Sequence, residues 1–215
     1  AQQILKKVGV NIVAYVSAVG NVKLTKCYKD LDLLEIEKSI VRCPDANYAN
    51  KMIKEIEGVT KKGDTIGGEI TVVAQKVPIG LGEPVFEKLH AVIGKAMLSI
   101  NAVHAFKYGF HGLDISSSRG SEVNDIFVDK NGKTKTNYSG GIHGGISNGN
   151  DIYCNVSFKP VATIMHNQSS IDKNGNVIEI EGKGRHDSCV VPRAVPIVES
   201  MMAITLLDFY LQNKV

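Results

Sequence analysis

Several features that would assign a function quickly are missing from this 215-residue sequence. No apolar run approaches the ~18 residues that a membrane span requires, so no membrane partner is expected. Neither G-x-G-x-x-G nor G-x-x-x-x-G-K-[ST] occurs, which leaves a nucleotide-binding βαβ unit without its motif. Cysteine is scarce: Cys27, Cys43, Cys154 and Cys189 form no C-x-x-C and have no histidine at ligand spacing. That pattern argues against a metal site or a disulfide framework and fits reduced thiols in the cytoplasm. Charge of one sign is also lacking, since 25 Lys and Arg against 22 Asp and Glu leave +3, dispersed along the chain. Neither nucleic acid nor an anionic membrane is the expected partner. The first seven residues have no signal core and no starting Met. They read as the tail of an amphipathic helix with Ile4, Leu5 and Val8 on one side, so the expectation is a chain that opens within a longer protein.

What is present is ordinary globular composition, with 43% hydrophobic and 22% charged residues and a mean hydropathy of −0.02. A chain of this length buries roughly 70% of its unfolded surface, and residues 1–215 are expected to form a single domain. Glycine stands out: 21 residues exceed the usual share of about 7%, which directs attention to glycine-built loops.

Alternating apolar residues predict a strand over 10–19, and Val/Ile/Thr-rich runs predict others over 66–77, 151–158 and 177–181. Helices are expected over 31–39 and 44–58, with Gly58 as a stop, and over 83–101, with Pro84 in the first turn. A closing helix is expected over 195–212. Residues 106–117 read as mostly extended, and 129–132 and 172–176 as hairpin-type turns. Antiparallel strand runs between long helices favour an α+β fold.

Four segments can carry chemistry. The run from Ser139 to Gly149 contains Gly140, Gly141, Gly144, Gly145 and Gly149, and serves either as a tight loop or as a backbone nest for an anion. His143 within it is either an acid–base group or a solvent-facing loop histidine. Lys159, opening Lys159-Pro160-Val161-Ala162-Thr163 after a strand, is either a point charge for phosphate or a solvated strand-end lysine. Gly184-Arg185-His186-Asp187-Ser188 is the sharpest segment. Arg185 offers a planar fork for phosphate and Asp187 an acceptor for a proton, unless the two belong to a structural ion-pair network. Asn101 either caps the helix that precedes it or meets a ligand amide.

Together these segments resemble the chorismate synthase family. The matching stretches are Gly80-Leu81-Gly82-Glu83-Pro84-Val85-Phe86, Leu98-Ser99-Ile100-Asn101-Ala102-Val103, Arg119-Gly120-Ser121-Glu122 with Asn124-Asp125, the Gly140 to Gly149 run, Lys159-Pro160, and Gly182 to Pro196. They lie in family order and cover nearly the whole chain. The resemblance implies a β-α-β sandwich, helices between two antiparallel sheets, assembled as a homotetramer. It implies a lyase of aromatic amino acid biosynthesis that turns 5-enolpyruvylshikimate 3-phosphate into chorismate and phosphate by anti-1,4-elimination. Reduced FMN is the implied cofactor, with NADPH as an indirect reductant. A non-catalytic flavin- or phosphate-binding piece of such an enzyme, and a flavin reductase, are the competing classes.

Carried across residue by residue, the resemblance places Asn101, Ala102, Gly144, Lys159, Pro160, Val161, Ala162, Thr163 and Arg185 at the FMN site. Asp187 matches the acid beside flavin N5. Val161 and Ala162 stand where many members carry hydroxyls, His143 replaces an apolar or amide residue, and Ser188 replaces a proline, which is expected to loosen that turn. The family's front portion, with two catalytic histidines, phosphate-binding arginines and a flavin loop, has no counterpart in these residues.

Overall fold

In the computed structural model, residues 1–130, 132–182, 184 and 186–214 are described. The chain runs α1 (Gln2–Lys7), β1 (Asn11–Val19), β2 (Val22–Lys23), α2 (Ala46–Lys61), β3 (Gly68–Gln75), α3 (Leu89–Leu98), β4 (Val103–Tyr108) and the short α4 (Gly120–Val123). Two small strands follow, β5 (Ile142–His143) and β6 (Ile146–Ser147), then β7 (Ile152–Phe158), the pair β8 (Gln168–Ile171) and β9 (Val177–Ile180), and α5 (Val191–Gln212). One antiparallel sheet has the order β2-β1-β3-β7-β4, while β5–β6 and β8–β9 are separate hairpins. This is the expected α+β class.

Register decides what each face of the sheet carries. Val16, Ile70, Val156 and Phe106 pair across β1, β3, β7 and β4, as do Ala14, Val72, Cys154 and Tyr108. That face is apolar and is covered by α5 over β1 and β3 and by α3 over β4. Gly94 lets α3 approach closely, because a Cβ there would stand 3.2 Å from the Phe106 ring. The opposite face carries Tyr15, Thr71, Asn155 and Lys107 in one line across the same four strands. Period-two alternation in one sequence thus supplies one apolar face and one mixed face, where Val13, Val73 and Tyr153 form the next line.

β1 is nearly an edge, since β2 covers only its end, and its outward N–H groups need partners. Ala14 N–H donates to Glu199 Oε1 of α5 at 2.7 Å, and Val16 N–H to the Arg42 carbonyl at 2.9 Å. Burial holds the Glu199 carboxyl above the usual carboxylate range. Cys43, Cys154 and Cys189 are buried free thiols whose ionisation burial pushes up.

Several expectations need correction. Residues 31–39 do not form an α-helix; the segment holds a 3-10 helix at Leu33–Lys38, capped by Asp32 and preceded by another at Tyr28–Asp30. α2 runs through Gly58 and stops only where Gly63 turns left-handed at φ +69°. α3 starts at Leu89, not at 83, because Gly80, Gly82 and Phe86 are left-handed, at φ +97°, +103° and +58°. Val85 and Phe86 are consequently exposed, outside the helix. The strand expected over 106–117 is β4, cut short by left-handed Gly109, Phe110 and Gly112. α5 begins four residues earlier than expected, because Pro192 sits in its first turn, where no N–H is needed. α5 is also long and apolar enough to cross a membrane, with a mean hydropathy of 1.5 over its best window. Val191, Val195, Val198, Met202 and Leu206 fill the core beneath it.

Candidate functional site

Three loops meet at one end of the sheet: residues 99–102 after α3, 159–163 after β7, and 186–190 before α5. Lys159 N–H donates to the Ala102 carbonyl at 2.9 Å, which joins the first two loops. The last turn of α2 and the connection from it to β3 anchor the second and third loops. Thr65 Oγ1 donates to the Val161 carbonyl at 2.7 Å, Ile66 N–H to the Ser188 carbonyl at 2.8 Å, and Thr60 Oγ1 to Ser188 Oγ at 2.6 Å. Gly67 makes this possible, since a Cβ there would lie 2.5 Å from the Phe158 carbonyl. Gly182 does the same for the second junction, where a Cβ would stand 2.2 Å from the Ile164 carbonyl. The Ser188 turn is therefore tied down by its own hydroxyl and carbonyl, contrary to the expected loosening.

The result is a cleft of about 440 Å³ lined by Asn101, Ala102, Phe158, Asp187, Arg193 and Ile197, among others. A second hollow of about 530 Å³ shares Asp187 and Arg193 and adds Val161 and His186. Ala102 is left-handed at φ +69°, a conformation that costs a non-glycine residue roughly 1–2 kcal/mol. Arg193 Nη1 meets Asp187 Oδ2 at 2.8 Å, with Asp187 one-third exposed and Arg193 mostly so. In that setting the pair fixes a carboxylate orientation more than it contributes stability.

The sequence-predicted residues divide. Asn101, Ala102 and Asp187 line the first cleft, and Val161 the adjoining hollow. Lys159 joins them through its backbone, Pro160 and Ala162 are exposed beside it, and the Thr163 methyl packs at Gly182. Arg185 lies outside the described residues. Gly144 stands elsewhere, in the β5–β6 turn. The neighbouring Gly145 carbonyl accepts from Leu89 N–H at the start of α3, whereas Asn101 follows the end of that helix. The ten residues of α3 separate the two by roughly 15 Å. Gly144 is left-handed with open space around its Cβ position, while Gly140, Gly141 and Gly145 pack against backbone. The glycine run is thus chiefly a tight packing device with one exposed turn. His143 Nε2 lies 3.9 Å from Asp125, whose carboxylate accepts from Thr136, Tyr138 N–H and Ser139 N–H. Sequence reasoning missed Arg193 and the Thr60–Gly67 support; only Gly67, just before β3, could have signalled the latter.

The family model for chorismate synthase matches residues 1–211. The chain belongs to the chorismate synthase family. Chorismate synthase of Christiangramia forsetii is 58% identical over 214 residues, covering 100% of this chain and 59% of that protein. The Cytophaga hutchinsonii chorismate synthase is 58% identical over 217 residues, covering 100% and 60%. A crystal structure of chorismate synthase superimposes with a TM-score of 0.80 at 26% identity, covering 99% of this chain and 60% of that one. The chain therefore spans about three-fifths of the length of the chorismate synthases it matches.

Proposed function

We propose that the protein to which this chain belongs is a lyase converting 5-enolpyruvylshikimate 3-phosphate to chorismate and phosphate by anti-1,4-elimination. Its cofactor is reduced FMN, with NADPH as an indirect source of reducing equivalents, and it acts in the cytoplasm as a homotetramer. Residues 1–215 serve in it as one domain. The observation that carries this reading is the convergence of Asn101, Ala102 and Asp187 on one cleft, in a chain 58% identical to named chorismate synthases.

The cleft fits a flavin. Phe158, Val190, Ala194 and Ile197 offer apolar walls for a flat ring, and Asn101 and the left-handed Ala102 bring polar groups to its edge. When bound, reduced FMN supplies electron density that assists phosphate loss from a substrate whose C6 hydrogen is not acidic. Asn101 and Ala102 orient the ring edge, and Lys159 and Arg185 attract phosphate. Arg193 holds Asp187 Oδ2, so Oδ1 is the oxygen placed to take or return a proton.

Chorismate formation by the complete protein tests the assignment. Asp187→Asn keeps the size of the side chain but removes its basicity, and should lower single-turnover rates by about 10²-fold or more. FMN and substrate binding should change far less, whereas Arg185→Ala should chiefly weaken binding. Near-normal turnover in Asp187→Asn would leave that carboxylate a structural partner of Arg193. The isolated 215-residue chain should bind flavin weakly and fail to turn over, since the family's histidines and phosphate-binding arginines are not among its residues. Rapid turnover by this piece alone would contradict that.

A further inference from the structure

Residues 63–67, which lead from α2 into β3, run between two of the loops that frame the Asp187 cleft. At one end Met165 N–H donates to the Gly63 carbonyl at 2.8 Å. At the other, Gly20 N–H of the β1–β2 turn donates to the Gly67 carbonyl at 3.0 Å. Ile66 packs at the same turn, where a Cβ on Gly20 would stand 2.4 Å from its Cδ1. The segment is thus fixed to the sheet at one end and to the stretch after β7 at the other. Between those ends, successive residues reach different loops. Thr65 Oγ1 donates to the Val161 carbonyl at 2.7 Å, and Ile66 N–H donates to the Ser188 carbonyl at 2.8 Å. Two neighbouring residues therefore tie down Val161 and the turn that carries Asp187, and both of these line the hollow beside the cleft.

Of these four hydrogen bonds, that of Thr65 alone uses a side chain, so residue type decides it. The hydroxyl is aimed in advance. Thr65 N–H donates to Asp64 Oδ1 at 2.7 Å, which fixes the backbone, and β-branching limits the side-chain rotamer. At the receiving end, Pro160 has a fixed φ and holds Lys159 extended. The next peptide, between Val161 and Ala162, has no such constraint of its own. The Thr65 hydroxyl holds it by its oxygen. In a planar trans peptide the N–H points opposite to the carbonyl, so Ala162 N–H is turned away from Thr65. Ala162 is exposed, and its N–H donates to no other described residue.

We propose that Thr65 is a positioning residue for the flavin: by holding the Val161 carbonyl, it keeps the Ala162 N–H oriented as a donor to the bound cofactor. The inference rests on the flavin reading and adds to it a residue that does not itself touch the ligand. A peptide left to rotate would have to be ordered by the ligand on binding, and that ordering opposes affinity. Thr60 provides the contrast. It stands at the end of α2 beside Thr65, but its hydroxyl meets Ser188 and not the Val161–Ala162 peptide.

The test titrates the complete protein with FMN, followed by flavin fluorescence, for the native protein and for Thr65→Val, Thr65→Ser and Thr60→Val. Valine keeps the branched shape and removes the donor, so the dissociation constant should rise roughly three- to ten-fold, the net worth of one hydrogen bond. Thr65→Ser keeps the donor and should bind within about two-fold of native, as should Thr60→Val, whose lost bond lies on the other loop. The half-buried Val161 carbonyl can take water in its place, so the thermal midpoint of Thr65→Val should fall by no more than about 2–4 °C. Hydrogen exchange of the native protein supplies a measurement that needs no variant: FMN should slow exchange at the Ala162 amide. Undiminished affinity in Thr65→Val, equal weakening in Thr60→Val, weak binding by Thr65→Ser, or an Ala162 amide indifferent to bound FMN would each overturn the proposal and leave the flavin site standing. A native protein that takes up no FMN would overturn the flavin reading and the proposal with it.

Discussion

Two carboxylates buried for structural reasons respond to pH in opposite directions. For Asp125, burial pushes the pKa up, but the Thr136 hydroxyl and the Ser139 and Tyr138 amides outweigh it and hold the group below the usual range. Its stabilising contribution is present above the unfolded value and is lost as pH falls through the folded one. Glu199 is raised, burial being the largest cause. Its contribution is complete below the unfolded value of about 4.3 and is lost as pH rises through the folded one. Glu199→Gln keeps an acceptor for Ala14 N–H and removes the titration. The variant should therefore gain stability relative to the native chain as pH rises from 4 to 8. Thermal midpoints at the two pH values check this, and an identical difference at both would show that the Glu199 carboxyl does not titrate abnormally.

At the level of elements, the glycines interlock. A Cβ on Gly82 would lie 2.4 Å from the Gly145 carbonyl, and one on Gly145 would lie 2.6 Å from the Glu83 carbonyl. The loop before α3 and the β5–β6 turn thus hold each other in place, and both glycines are left-handed at φ +103° and +99°. Gly82→Ala should cost more than about 2 kcal/mol in denaturant unfolding, since both backbone conformation and clearance are lost. A loss below about 0.5 kcal/mol would mean that the two loops separate freely. The same interlock shows what the sequence made legible. β1, β3, β7 and the body of α5 were readable from alternation and apolar spacing. The start of α3 was not, because a left-handed Phe86 has no signature in residue type. The boundary of β4 failed for the same reason at Phe110. Within the cleft, Asn101 and Asp187 were readable as candidates from their chemistry, with alternatives that only the resemblance decided between. Arg193 was not, since an ion pair across a helix start has no fixed spacing. The Thr60 and Thr65 hydroxyls that tie the loops together look like ordinary turn residues until the chain is folded.

At the scale of the molecule, the layering is one-sided. α5 gives its inner side to β1 and β3 while Ile197, Ile204 and Leu211 remain about half exposed on the outside, at 49%, 57% and 52%. These residues are seven apart, just under two turns, and so share one stripe of the helix. Leu98 on α3 and Ile4 on α1 are similarly exposed. A stripe of this kind on a core helix suits a second layer, and a sandwich with helices between two sheets places one there. The isolated chain should therefore self-associate through this face, and Ile204→Gln with Leu211→Gln should suppress that association. Because both side chains point away from the sheet, the thermal midpoint of the double variant should stay within about 2–4 °C of the native chain. Sedimentation velocity over a concentration series, alongside melting curves, separates the alternatives. Association that persists in the double variant would move the contact to another surface. A collapse of the midpoint would mean that the stripe packs within the chain after all.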